Sequence, residues 1–251
     1  MSRFVVVLFL LSAAFCMGSQ AWALPTTDEL FTLMADKEAK MKSLQADITV
    51  TEKSEDRQMS TAGHMALVRT EQDGKSLRKF YMTMKATLQA DQQTMIQEIK
   101  VVSDGHLVWQ EMRLSTMPVT QVVKGNVTEV TARMVNGPLI SKESIDQFRK
   151  PFDLDAVAED SIDGRKVYVI EGKLKADQEQ AGSIPSKIKF YVDQETLSMR
   201  RLLGFDAAGN EFTHLDMTNV KLDEEVDPKT FDYTPPQDAK VTDLTKEDAG
   251  Q

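Results

Sequence analysis

Cysteine is nearly absent from this 251-residue chain, and the single one, Cys16, lies in an apolar N-terminal run. That run, residues 4–17, follows Arg3 and precedes Gly18 and the small residues Ala21 and Ala23, the layout of an export signal cleaved after Ala23. It is too short to span a bilayer comfortably, which takes about 20 apolar residues. Phe15 stands where a lipoprotein signal places a small residue before its cysteine, so lipid attachment at Cys16 is not expected. Residues 24–251 then hold no thiol, which excludes a disulfide, a cysteine nucleophile and a cysteine-based zinc site in the exported chain. With a signal and no second apolar run of spanning length, a periplasmic location is expected.

Histidine is scarce too. His64, His106 and His214 stand at no metal-binding spacing from one another or from a suitable acid, so no metal site is expected; the first two follow glycines at strand starts, where an exposed or satisfied ring is the plain reading. No Gly-x-Ser-x-Gly elbow and no Gly-rich phosphate loop occurs. Basic charge is in deficit, with 30 Lys and Arg against 39 Asp and Glu, which argues against nucleic acid as a partner. Carboxylates are plentiful, but no pair stands out for acid–base work. The cluster Asp223, Glu224, Glu225, Asp227 reads as a solvated loop, with calcium binding as the alternative. No enzyme and no cofactor are expected.

What is present is alternation. After a helical stretch over residues 26–44, with Thr26 and Thr27 as caps and Leu30, Leu33, Met34, Met41 and Leu44 on one side, the period changes to two at Ala46, Ile48 and Val50. Phe80, Met82, Met84, Ala86 and Leu88 alternate with polar residues and share one apolar face; alternation of Met65 and Leu67 places Arg69 with them on another strand. Ile99 and Val101 lead into the hairpin signal Asp104-Gly105, and Asp163-Gly164 makes a second. Further strands run to Val220, with a turn at residues 207–210. The segments 128–135 and 141–148 interrupt the pattern, the second reading as a short helix. About ten antiparallel strands, one leading helix and a short helical insertion make a mainly β single domain over residues 24–251. The expected fold is an unclosed, strongly curved barrel with helices on its concave side.

Methionine is abundant, 14 in all, and Met65, Met82, Met84, Met95 and Met112 fall in the first group of strands. Such side chains either line a concavity that reshapes around ligands without fixed form or simply fill the core.

Three stretches carry a family resemblance: Lys42-Ser43-Leu44-Gln45-Ala46-Asp47-Ile48-Thr49 after the first helix, Val102-Ser103-Asp104-Gly105 with Leu107 and Trp109, and Val226-Asp227-Pro228-Lys229-Thr230-Phe231-Asp232-Tyr233-Thr234-Pro235-Pro236. Weaker similarity covers residues 63–69, 77–82 and 164–170. In this order they resemble the LolA-type periplasmic carriers of outer-membrane lipoproteins, with their LolB-like and sigma-factor-regulator relatives. The resemblance implies an unclosed barrel whose apolar interior, covered by helices, receives acyl chains. It places Phe80 and Met82 toward that interior and Arg69 near the lid. The family's arginine is usually followed by proline, whereas Thr70 follows here. The acidic insertion at residues 177–180 is foreign to the family pattern.

The candidate ligand-binding set is therefore Met65, Leu67, Arg69, Phe80, Met82, Met84, Ile99, Val101 and Trp109, with no catalytic member. Arg69 is expected to bond carbonyls of the insertion at residues 128–148 as a latch. The expected function is a monomeric carrier that shields the acyl chains of lipoproteins, or of another lipid, and shuttles them toward the outer membrane. An inner-membrane release complex and an outer-membrane acceptor are the implied partners. A lipoprotein-sensing regulator or a scaffold with the same fold is the alternative; regulators of this family carry a second C-terminal domain, and a chain ending soon after Phe231 fits the carrier better.

Overall fold

The first structured turn is fixed by its cap. In the computed structural model, which describes residues 23–54, 57–72, 74–90, 93–127, 142–176 and 184–245, the Thr26 hydroxyl accepts from the Glu29 amide (3.2 Å) while the Glu29 carboxylate accepts from the Thr26 amide (2.7 Å). This reciprocal capping box starts helix α1, Thr27–Lys40, with Asp28 and Glu29 in its first turn and Lys37 and Lys40 in its last, charges that suit the helix dipole. Leu30, Phe31 and Met34 are buried. The helix ends four residues before the expected Leu44, because Leu44 already pairs with Leu67 and with Leu222 in the sheet. Met41 and Leu44 fit a helical repeat, but Leu44, Ala46, Ile48 and Val50 fit a strand, and pairing on both sides decides.

The strands are β1 (Ser43–Lys53), β2 (Arg57–Gln72), β3 (Lys75–Ala90), β4 (Gln93–Ser103), β5 (Leu107–Leu114), β6 (Gln121–Asn126), β7 (Phe152–Leu154), β8 (Ala158–Ile162), β9 (Arg165–Leu174), β10 (Lys187–Asp193), β11 (Met199–Phe205), β12 (Glu211–Leu222) and β13 (Lys240–Asp243). A second helix, α2, spans Lys142–Arg149, where a short helix is expected. All strands join one sheet in the order β13-β6-β5-β4-β3-β2-β1-β12-β11-β10-β9-β7, with β8 also beside β9. Every pairing is antiparallel except that of β13 with β6. The sheet is strongly curved and unclosed, and among the described strands its edges are β13 at one end and β7 and β8 at the other. The thirteen strands among the described residues exceed the ten read from the pattern because β7, β8 and β13 are short and carry no alternation; β8, Ala-Glu-Asp-Ser-Ile, is exposed except at Ile162.

Both Asp-Gly signals make hairpins. Gly105 (φ 98°) turns β4 into β5 while the Asp104 carboxylate accepts from the His106 and Leu107 amides, and Asp163 and Gly164 turn β8 into β9 with φ of 51° and 78°, the pair of positive values that a tight hairpin turn demands. The expected export signal up to residue 22, residues 128–141 of the expected helical insertion and the acidic insertion at residues 177–180 lie outside the described residues.

Two apolar clusters divide the concave side. The larger joins Leu30, Phe31 and Met34 of α1 and Ile145 of α2 to Leu44, Ala46 and Ile48 of β1, Met65 and Leu67 of β2, and inward residues of β9 to β12 such as Ile170, Phe190 and Met217. The Phe190 ring lies 6.1 Å from Phe31 and 5.4 Å from Phe148. The smaller centres on Val101 and Val108, with Phe80, Met82, Ile99 and Val127 packed against them. Helices thus fill one wing, whereas on the β3 to β6 wing most inward residues are only half-buried.

Gly63 shows how closely the strands pack there. A Cβ at this position would meet the Thr83 carbonyl oxygen at 2.3 Å and Met84 Cγ at 3.0 Å. The first contact is with backbone, which cannot swing away. Gly63→Ala should lower the unfolding free energy by about 1–3 kcal/mol, read from urea titration; an unchanged midpoint would show that β2 and β3 can separate at this point.

Candidate functional site

Strand register decides which side chains share the concavity. Across β2, β3, β4 and β5 the inward rows read Leu67, Phe80, Ser103, Val108; then Met65, Met82, Val101, Gln110; then Gly63, Met84, Ile99, Met112. Seven candidate residues, Met65, Leu67, Phe80, Met82, Met84, Ile99 and Val101, thus sit together on one face, and Arg69 continues the same face of β2 beyond Leu67. Met95 and Met112 join them, as does Met59, which faces Leu88 and through it Met95. Met59 is missing from the candidate set although its alternation with Thr61, Gly63 and Met65 marks it. Met65 and Leu67 are fully buried, at 1% and 2% exposure, and belong to the helix-covered core. Met59, Met82, Met84, Met95, Ile99 and Met112 are half-buried.

Trp109 belongs elsewhere. It pairs with Val102 and Lys124, whose parity is opposite to that of Val101 and Val108, and so lies on the convex face. There its ring is 5.6 Å from Tyr233, and Lys124 Nζ stands 5.3 Å over it. The Tyr233 hydroxyl donates to Glu111 (2.8 Å); burial, with this bond second, holds the phenol well above its ordinary pKa. The ending that carried the family resemblance is thus a strap across the outside of the sheet. Asp227 caps a single 3-10 turn, Pro228–Phe231, Phe231 is buried, and β13 then pairs with β6. Between strap and sheet runs a groove of about 510 Å³ lined by the paired charges Lys85 and Glu98, and Glu111 and Arg113.

Arg69 finds acceptors other than those expected. Its Nη1 donates to the Ala39 carbonyl (2.9 Å), and Nη2 to the carbonyl (3.3 Å) and carboxylate (3.1 Å) of Glu38. Arg78, opposite Arg69 on β3, also reaches the Glu38 carboxylate (3.1 Å), which is only 14% exposed. Arg69 therefore ties the last turn of α1 to the sheet and meets its unsatisfied carbonyls, the place where a cation suits the helix dipole.

The remaining candidates for chemistry serve the scaffold. His64 pairs with Asp47 (2.8 Å), to which Asn219 also donates (2.7 Å); these two bonds, Asn219 first, hold the Asp47 carboxyl below its usual range. His214 lies between Glu211 and Asp216. In the acidic cluster Asp223 accepts from the Lys42 amide (2.7 Å) and Asp227 caps its turn, so both brace the chain where β12 ends. Among the described residues no group of three or more His, Cys, Asp or Glu side chains could hold a metal ion. A concavity of about 810 Å³ beside the start of α1 mixes Asp28, Asp153 and Asp155 with Arg149, Lys150 and Lys175.

Arg69→Leu should speed amide exchange at residues 38–42 and lower stability by about 1.5–3 kcal/mol, the usual worth of a charge-assisted bond. Unchanged exchange would show that α1 is held by its apolar face alone.

No protein-family model matches the chain. It is similar to an uncharacterized protein of Methanocaldococcus jannaschii, 24% identical over 237 residues that make up 94% of this chain and 59% of that protein. Among solved structures it is similar to MucB (14% identity, 82% of this chain and 62% of MucB, TM-score 0.46), to the lipoprotein LppX of Mycobacterium tuberculosis (13%, 80% and 98%, 0.39) and to a LolA superfamily protein of Nitrosomonas europaea (13%, 84% and 99%, 0.27). The chain spans less than two thirds of the curated relative and of MucB. The unclosed, strongly curved sheet with an N-terminal helix and a second helix on its concave side is the architecture expected from the sequence.

Proposed function

We propose that the protein is a non-enzymatic, periplasmic carrier that takes acyl chains, of lipoproteins or of another lipid, onto the concave face of β2 to β5 and moves them toward the outer membrane. One observation carries this reading: the inward rows from Met59 and Leu88 to Val108 are uncharged and methionine-rich, and away from α1 most of their side chains are only half-buried. Each methylene exposed to water costs about 0.8 kcal/mol, so a lipid in transit needs apolar area rather than chemistry. Thioether side chains adapt to chains of varied length at little packing cost. The acyl-bearing cargo would be received from an inner-membrane complex and given up to an outer-membrane acceptor.

Met84→Asp tests the face. Met84 is half-buried and stands outside both apolar clusters, so a carboxylate there should weaken binding of the apolar fluorophore N-phenylnaphthylamine by at least about tenfold while the melting curve stays close to that of the parent. Equal binding by the folded variant would place the lipid elsewhere. Export is tested separately: N-terminal sequencing of the mature protein should begin at Leu24-Pro25, and a start at Met1 or Cys16 contradicts a periplasmic carrier freed by cleavage after Ala23.

A further inference from the structure

The wing formed by β4, β5 and β6 segregates its charges completely. Its charged residues are Glu98 and Lys100, Glu111 and Arg113, and Lys124, and register turns all of them to the convex face: Glu98 faces Arg113, Lys100 faces Glu111, and Lys124 faces Trp109. On the concave face the polar side chains include three amides, Gln97, Gln110 and Gln121. They surround one residue. Gln110 precedes Met112 by two positions on the same face of β5, Gln121 is its partner on β6, and the Gln97 amide donates to Met112 Sδ at 3.2 Å.

A thioether is a weak acceptor, and among the described residues Gln110 and Gln121 have no side-chain partner at all. All three are half-buried beside Ile99, Val101 and Leu114. Their polar atoms are not sealed off from solvent, so the amides of Gln110 and Gln121 are open to a ligand's donors and acceptors. Ordinary core filling would place Leu or Val here, as it does at Val108 and Val123.

We propose that Gln97, Gln110 and Gln121 form a subsite for the uncharged carbonyl linkages of an acylglycerol group, the esters that join fatty chains to glycerol. The inference rests on the lipid-binding reading of the same face and names what part of the lipid lies where. A primary amide both donates and accepts, which suits ester carbonyls and a glycerol hydroxyl. A carboxylate or phosphate calls for a guanidinium or ammonium, and the cations of this wing lie on the other side of the sheet. From Met112 to Met84 is two strand spacings, about 10 Å, so chains leaving the amides run directly over Ile99, Met84 and Met82. The linkage has two sources, a free diacylglycerol and a polypeptide whose terminus carries a diacylglyceryl group.

The test displaces N-phenylnaphthylamine from the whole mature protein with dioleoylglycerol, a diacylglyceryl lipopeptide, oleate and dioleoyl phosphatidylglycerol. The parent should favour the first two over oleate and the phospholipid by about tenfold or more. The double variant Gln110→Leu/Gln121→Leu should bind N-phenylnaphthylamine within about twofold of the parent but lose about 5- to 50-fold toward the glycerol esters, as expected for two or three lost neutral hydrogen bonds. Gln97→Leu should do the same to a smaller extent. Displacement by both esters supports the shared linkage, and displacement by the lipopeptide alone supports it with a protein as source. Unaltered ester binding by the double variant, or a parent that prefers oleate or the phospholipid, overturns the subsite while leaving an apolar lipid face intact. Failure of the parent to bind N-phenylnaphthylamine removes the lipid reading itself.

Discussion

Unbroken antiparallel register from β1 to β6 is the constraint on which the molecule depends. Side chains alternate along a strand, so a slip of one residue at any of these pairings would turn Lys85, Lys100 and Arg113 inward and the methionines out. None of these pairings contains a shift. The irregularities fall elsewhere, between Gln45 and Asp47 against β12, between Tyr191 and Val192, and between Gly204 and Phe205. Bulges bend and twist a strand, and these lie in the wing that wraps α1 and α2. Between Met59 and Val108 the regular wing presents an uncharged surface, and the irregular one curves around its helices.

That division assigns different work to residues of one type. Met34, Met65 and Met217 are buried core residues beneath the helices, whereas Met59, Met84, Met95 and Met112 lie on the half-buried wing. Methionine thus fills the core in one place and lines the proposed binding face in the other. Arg69 sits at the boundary: with Arg78 it grips Glu38 and the last carbonyls of α1, so the end of that helix is fastened to the strands. On the outside, Tyr233 and Phe231 anchor the strap, and the charged convex face keeps that side wet.

Much of this was legible in the sequence, because period and turn chemistry are local. The capping residue Thr26, the alternation around Phe80, Met82 and Met84, and both Asp-Gly hairpins stand where the pattern places them. Trp109 was misplaced for a definite reason: Leu107, Val108 and Trp109 form an apolar run without alternation, so their faces are set only by pairing of Val108 with Ser103 and of Trp109 with Val102. The acceptors of Arg69 lie thirty positions earlier in the chain, and the strap that covers Trp109 returns from more than a hundred positions later. Such contacts leave no local pattern. The three inward glutamines escaped notice similarly, since each is unremarkable until register gathers them around Met112.

The most direct measurement is carbon-13 methyl NMR of the methionines as an acyl ligand is titrated in. The account predicts that the methyl signals of Met59, Met82, Met84, Met95 and Met112 move together and saturate at one ligand concentration, while that of the exposed Met117 stays in place. Saturable shifts confined to other methionines, or no shifts at all, would contradict a lipid-binding concave face.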